Sequence, residues 1–160
     1  MSISAGDRIP DVTVSVPDAD GNPQPAQTGE LLGKGKVVLF AVPGAFTPGC
    51  SNTHMPGFVV KADDLKAKGV DTIACIAVND AWVMNAWGKD QNAGESTMIA
   101  DGNGDFATAM GLSADLSGIG LGSRSKRYAA IIEDGVVKKL LVEPAPGVNE
   151  SSAENVLANL

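Results

Sequence analysis

The fold follows from residues 37–50, which read VVLFAVPGAFTPGC. Residues 37–42 form a short, continuous apolar run, as expected of a strand that is covered on both faces. The loop that follows contains two prolines and two glycines and ends at Cys50, where a helical pattern begins. This stretch therefore predicts a central strand that leads through a stiffened, exposed loop into a helix.

The next residues complete a βαβ unit. Apolar side chains recur at helical spacing, with charged residues between them, at Met55, Phe58, Val59, Ala62 and Leu65. Because Pro56 lacks an N–H group, the bond to residue 52 is lost, and the first turn, which holds Cys50 and His54, should be bent. A second apolar run at residues 72–78 predicts a strand parallel to the first.

The rest of the chain continues the alternation of strands and helices. Asp80 can cap a helix that runs to about Asn92, and residues 97–100 predict another short strand. Residues 128–132 and 136–142 flank an Asp-Gly pair, which favours an antiparallel hairpin. The pattern predicts an α/β fold with a central mixed β-sheet flanked by helices, in a single domain over residues 1–160.

A last helix is predicted from Ser151 to Leu160. Ser151 is the expected N-cap, and Glu154, three residues further on, would complete a capping box. The two tryptophans, Trp82 and Trp87, occupy helical positions and are interpreted as core or interface residues.

Composition and charge exclude several classes of function. The formal net charge of −7 repels the phosphates of nucleic acids and anionic lipids, so neither a nucleic acid nor a membrane is expected as a partner. The first residues lack a basic segment followed by an apolar one, and no apolar run approaches the ~20 residues that span a bilayer. These observations predict a cytoplasmic protein.

The chain has two cysteines, Cys50 and Cys75, and one histidine, His54. Two cysteines this far apart form neither a disulfide framework nor a CxxC motif. One histidine without a cluster of cysteines cannot supply the ligands of a zinc site, and the acidic segment at residues 101–105 departs from a calcium loop at its sixth and twelfth positions. We therefore expect no metal and no other cofactor.

Cys50 is the candidate nucleophile. At the start of a helix its sulfur faces unpaired N–H groups and the positive end of the helix dipole, and both favour the reactive thiolate. A cation could help, from His54 on the same helical face or from an arginine. Arg127 lies at the end of a predicted strand that could aim it, whereas Arg124 lies in a flexible, glycine-rich loop.

The spacing of Pro43, Thr47 and Cys50 matches the P-x-x-x-T-x-x-C pattern of the peroxiredoxins. Residues 46–58 (FTPGCSNTHMPGF) resemble the type II, or atypical type five, subfamily, as do AVND at 77–80 and KRY at 126–128. The resemblance runs from about Ile3 to the C-terminus. It implies a thioredoxin-like fold and a peroxidase that reduces hydrogen peroxide and organic hydroperoxides to water and alcohols.

The resemblance also implies roles for single residues. Cys50 attacks the O–O bond and becomes a sulfenic acid, while Arg127 and the backbone N–H of Cys50 stabilise the departing oxygen. Thr47 exchanges hydrogen bonds with the peroxide and the sulfur, and Pro43 shields the sulfur from water. Gly49 and His54 are the supporting residues, although His54 fits a satisfied, partly buried histidine equally well.

The thiol that restores Cys50 is left open. Some type II relatives carry a second cysteine at the place of Cys75 that is regarded as resolving, but Cys75 lies inside a predicted central strand, where a cysteine usually acts as a small apolar residue. Glutathione with glutaredoxin, or thioredoxin, is the alternative, because the later resolving cysteine of some type five relatives is absent.

Other hypotheses remain at this stage. They are a thiol-disulfide oxidoreductase, a redox sensor or chaperone-like redox protein on the same fold, and a non-catalytic binding module. The missing CxxC motif disfavours the first of these. The resemblance further suggests a homodimer that meets near the active-site loops.

Overall fold

The computed structural model describes residues 2–160 and contains nine strands among them. They are β1 (Thr13–Pro17), β2 (Pro23–Gln27), β3 (Lys36–Ala41), β4 (Thr72–Ala77), β5 (Ser96–Ala100), β6 (Ser113–Asp115), β7 (Ser123–Ser125), β8 (Tyr128–Glu133) and β9 (Val136–Val142). Seven form a mixed sheet in the order β2-β1-β5-β4-β3-β8-β9, while β6 and β7 form a separate antiparallel ribbon. The predicted mixed sheet is thus confirmed.

Six α-helices lie between or after these strands. They are α1 (Thr28–Leu31), α2 (Met55–Val60), α3 (Ala62–Ala67), α4 (Ala81–Asp90), α5 (Asp105–Met110) and α6 (Ala153–Ala158). None of the helices within residues 2–160 is both long and apolar enough to cross a bilayer.

The core lies on both faces of the sheet. Val38, Phe40 and Val42 pack with buried residues of α2, α3, α4 and α6, whereas Val37, Leu39 and Ala41 pack with residues of α5. Side chains alternate between the two faces of a strand, and both faces of β3 are covered. This explains why residues 37–42 are apolar at every position. The prediction of a central strand covered on both faces is confirmed.

The pairing of β3 brings distant segments to one edge of the sheet. β3 runs parallel to β4 and antiparallel to β8, with Ala41 opposite Tyr128. Consequently the loop after β3 and Arg127, the residue before β8, lie at the same end of the sheet. The predicted hairpin from β8 to β9 is also present, and Asp134 and Gly135 in its turn have positive φ angles of 49° and 82°.

The helix after β3 begins irregularly. Residues 50–54 form a π-helical turn in which the N–H of Met55 donates to the carbonyl of Cys50, five residues earlier. Pro56 follows directly and has no N–H to donate, so the predicted bend has its expected cause. The single helix predicted beyond this point is divided into α2 and α3 at Lys61, where ψ rises to 6°.

Helix caps follow the prediction in one case and contradict it in another. Asp80 caps α4 by accepting a hydrogen bond from the N–H of Val83 at 2.8 Å. The prediction that Ser151 caps the last helix in a capping box with Glu154 was wrong, because Ser152 is the N-cap and accepts from the N–H of Asn155 at 3.1 Å. Ser151 is instead fully buried and bonded elsewhere.

Candidate active site

Cys50 lies where the chain turns from the end of β3 into the π-helical turn. The helical conformation starts at Pro48, and the N–H of Ser51 closes the first turn on the carbonyl of Thr47 at 2.9 Å. Proline suits this position because its missing N–H would have no partner in the first turn. Phe46, just before, is half-exposed with a positive φ of 63°, which is strained for an aromatic residue.

Two polar side chains contact the sulfur of Cys50. The hydroxyl of Thr47 lies 2.9 Å from Sγ, and Nη2 of Arg127 lies 3.2 Å from it. Thr47 also lies 2.7 Å from the carbonyl oxygen of Gly44. A hydroxyl has one proton, so it donates either to this carbonyl or to the sulfur, and its lone pairs stay free to accept in the first case.

His54 holds Arg127 in place. Nη1 of Arg127 donates to Nδ1 of His54 at 2.9 Å, and Nε2 of His54 donates to the carbonyl of Ser151 at 2.9 Å. The partners fix the tautomer, because a guanidinium can only donate and a carbonyl can only accept. The ring also packs against Phe40 and Phe58, with ring centroids 5.1 and 5.6 Å away.

The electrostatics of His54 agree with a neutral ring. Burial, and next the charge of Arg127, lower the pKa of His54 from 6.5 to about 4. Its side chain is only 1% exposed. His54 is therefore a satisfied buried histidine, and it also contacts Arg127.

Glycines make room for the arginines around the loop. A Cβ atom on Gly49 would lie 3.0 Å from Nη2 of Arg127, closer than ordinary contact. A Cβ atom on Gly44 would lie 2.9 Å from Nη1 of Arg124. Pro43 is half-buried next to Gly44, and its carbonyl accepts a long hydrogen bond of 3.4 Å from Nη1 of Arg124.

Arg124 is a residue whose contact the sequence did not predict. It belongs to β7 instead of a flexible loop, and its Nε donates to the carbonyl of Leu121 at 3.0 Å. The side chain thus connects the β6–β7 ribbon to the loop before Cys50. No spacing signal marks this contact, because residues 43 and 124 are far apart in the chain.

Cys75 occupies the middle of β4, opposite Phe40 on one side and Met98 on the other. It is fully buried, and this burial raises the pKa of its thiol well above the ordinary value. Both cysteines are free thiols. The structure therefore brings Thr47 and Arg127 to the sulfur of Cys50 and His54 to Arg127, while Cys75 lies in the sheet within the same buried core as Cys50.

The acidic segment at residues 101–105 has a structural explanation. The carboxylate of Asp101 accepts hydrogen bonds from the N–H groups of Phe106 and Ala107 at the start of α5. Within the described residues, no three histidine, cysteine or acidic side chains come together as a metal site.

The mixed sheet of this order, with a helix that begins at Cys50 after a central strand, is a thioredoxin-like fold. The chain belongs to the redoxin family, whose sequence model matches residues 4–157. Within that family it is a peroxiredoxin of type II and a thiol-dependent peroxidase, as its relatives show.

Two plant relatives and one solved structure illustrate the similarity. Chloroplastic peroxiredoxin-2E of Arabidopsis thaliana is 49% identical over 163 residues, covering 99% of this chain and 70% of the relative. Peroxiredoxin-2B of the same plant is 45% identical over 159 residues, covering 99% and 98%. Reduced Prx3 of Vibrio vulnificus in complex with H₂O₂ is 50% identical with a TM-score of 0.93, covering 98% of both chains.

Proposed function

We propose that Cys50 is the peroxidatic nucleophile and that hydrogen peroxide and organic hydroperoxides are its substrates. The thiolate attacks the terminal oxygen of the peroxide, so an S–O bond forms and the O–O bond breaks. The electron pair of the broken bond leaves on the other oxygen, which takes up a proton to give water or an alcohol. Cys50 is left as a sulfenic acid.

One observation carries this proposal. Thr47 and Arg127 both contact Sγ of Cys50, although Arg127 is 77 residues away in the chain. Negative charge moves from the sulfur to the departing oxygen during the reaction, and donors that already surround the sulfur can follow that charge without rearranging. We assign this stabilising role to Arg127 and the backbone N–H of Cys50.

The neighbouring residues have complementary roles in the proposed site. When Thr47 donates to the carbonyl of Gly44, its lone pairs can accept a hydrogen bond from the protonated oxygen of the peroxide. We assign to Pro43 the role of shielding the sulfur from water, and its carbonyl accepts a hydrogen bond from Arg124. Gly49 leaves the space that Arg127 occupies.

The deciding experiment compares two cysteine variants. Cys50→Ser should abolish peroxide consumption, whereas Cys75→Ser, the matched control, should keep it when an external thiol is supplied. Peroxide consumption by Cys50→Ser at the rate of the parent would refute the assignment.

For the second half of the cycle we propose an external thiol, glutathione with glutaredoxin or thioredoxin. The supporting observation is the position of Cys75, because a buried thiol with a raised pKa in the middle of a sheet is a poor partner for the sulfenic acid. Mass spectra taken after one equivalent of peroxide test this. A Cys50–Cys75 disulfide in place of a glutathione adduct would show that Cys75 resolves the intermediate.

We also propose that the protein is a cytoplasmic homodimer. Phe46, Trp82 and Ile119 are large apolar side chains that are 53%, 59% and 74% exposed, and Phe46 lies in the loop before Cys50. Covering them would remove apolar surface from water. Light scattering across a dilution series tests the dimer, and cell fractionation tests the location, since peroxiredoxin-2E of Arabidopsis thaliana is named as chloroplastic.

A further inference from the structure

Glu143 follows β9 directly and organises the segment after it. One oxygen of its carboxylate, Oε2, accepts three hydrogen bonds, from the N–H of Asn149 at 2.8 Å and from the N–H and hydroxyl of Ser151 at 2.7 Å each. Partial burial raises the pKa of this carboxyl, but the hydrogen bonds from Ser151 and Asn149 more than offset it, so the pKa lies below its ordinary value.

The same residue is connected to Arg127 by two routes. The backbone N–H of Glu143 donates to the carbonyl of Arg127 at 3.1 Å. Through its side chain, Glu143 holds Ser151, whose carbonyl accepts from His54, which in turn accepts from the guanidinium that contacts Cys50. An unbroken series of hydrogen bonds therefore runs from Glu143 to the sulfur.

The carbonyl of Ser151 must be held in place by other residues, because the segment at residues 144–150 before it forms neither a helix nor a strand. This segment contains two prolines and a glycine with a φ of 132°, and most of it is exposed. Ser151 ends this segment and is fully buried. The three bonds to Glu143 thus determine where the Ser151 carbonyl lies, and that carbonyl sets the orientation of the imidazole ring.

The arrangement also leaves the charge of Arg127 unneutralised. Over residues 2–160 the two side-chain ion pairs join Lys36 to Glu133 and Lys66 to Glu95, and neither includes Arg127. The side chain that holds the guanidinium of Arg127 is the neutral imidazole of His54, and not a carboxylate. A carboxylate in direct contact would cancel much of the charge that the thiolate and the departing oxygen require.

We propose that Glu143 is a positioning residue for Arg127, acting through the Ser151 carbonyl and His54 to aim the guanidinium at the sulfur of Cys50. The inference rests on the proposed function, in which Arg127 stabilises the reacting oxygen and sulfur. Glu143 does not contact Arg127 through its side chain. It therefore fixes the orientation of the guanidinium without neutralising its charge.

Two substitutions of Glu143 separate geometry from charge. Glu143→Gln keeps the length of the side chain, and its Oε1 can still accept the two hydrogen bonds from Ser151, so the rate of Cys50 oxidation by peroxide should fall no more than about twofold. Glu143→Asp keeps the charge but shortens the side chain, and this rate should fall roughly tenfold, as for other small misplacements of a catalytic group. Glu150→Gln, an exposed acid in the same segment, is the matched control and should not change the rate.

The rates are measured by stopped flow with tryptophan fluorescence, because the indole N–H of Trp87 donates to Ser51 next to Cys50 at 2.9 Å. Alkylation of Cys50 by iodoacetamide at the same pH is the reference, because it depends on the thiolate but has no departing peroxide oxygen. The loss in Glu143→Asp should be several-fold larger in the peroxide rate than in the alkylation rate, because Arg127 contacts the thiolate in both reactions but a departing oxygen in only one. Equal losses in both would show a general structural role and would overturn the proposal.

A double-mutant cycle tests the route through Arg127. In an Arg127→Gln background, Glu143→Asp should cause no further loss of peroxide rate, because the group it positions is gone. Independent, multiplicative losses would overturn the proposal, as would a Glu143→Gln variant slower than Glu143→Asp. Peroxide turnover by Cys50→Ser would instead refute the proposed function, so the two failures are distinguishable.

Discussion

The pKa of His54 makes the stability of the protein depend on pH in a defined window. The folded protein keeps the ring neutral down to about pH 4, whereas an unfolded chain protonates it below its ordinary value of 6.5. The unfolded state therefore binds more protons in this window, and the stability contributed by His54 is present above pH 6.5 and is lost as the pH falls towards 4. The shift corresponds to about 3 kcal/mol of unfolding free energy.

The assay compares urea unfolding of the parent and His54→Asn between about pH 7 and pH 4. Asparagine can still accept from Arg127 through Oδ1 but does not titrate. The variant should be less stable near pH 7, since the Ser151 carbonyl loses its donor, and its stability should depend less steeply on pH. Asp101, whose pKa is raised by burial, titrates in both proteins and so cancels in the comparison.

A direct measurement is available because the chain has a single histidine. Its imidazole proton signals can be assigned without ambiguity in an NMR titration. A midpoint near 6.5, or parallel curves of stability against pH for parent and variant, would refute the argument that burial and Arg127 keep the ring neutral.

Three further predictions concern single side chains. Thr47→Val should lower the rate of Cys50 oxidation by ~10²-fold in stopped flow, because it removes the hydroxyl next to the sulfur, and Thr47→Ser should restore most of it. Gly49→Ala should lower the same rate about tenfold, because its Cβ displaces Arg127, without a matching loss of thermal stability. Tyr128→Phe should leave the free energy of unfolding unchanged or raise it by up to about 1 kcal/mol in urea, because the buried hydroxyl has no hydrogen-bond partner in the described part of the chain. Loss of stability in that variant would point to a partner for the hydroxyl.

Local signals in the sequence predicted much of the fold. The apolar runs gave β3 and β4 and their parallel pairing, and the Asp-Gly pair gave the hairpin between β8 and β9. Each of these elements is determined by residues close together in the chain. The strands follow from hydrophobic periodicity, and the hairpin follows from a turn geometry that few residue types adopt.

Contacts between distant segments could not be predicted in the same way. Ser151 and Ser152 have equal intrinsic tendencies to cap a helix, and the choice of Ser152 depends on the contact between Ser151 and Glu143. The bond from His54 to Ser151 joins residues 97 positions apart and leaves no mark in either local sequence. Arg127 could be predicted as a site residue because it lies at the end of a predicted strand and within the KRY segment at 126–128 that resembles the family. Arg124 lies in neither.

The pairing of Ala41 with Tyr128 has a consequence for folding fidelity. A slip of two residues between β3 and β8 would leave every side chain on its proper face, although it would change the neighbours of each in a close-packed, buried core. Such a slip would nevertheless carry Arg127 about 7 Å from its position beside the sulfur. A misregistered molecule would thus lack the contact between Arg127 and Cys50, which makes the rate of peroxide reduction a sensitive measure of correct strand pairing.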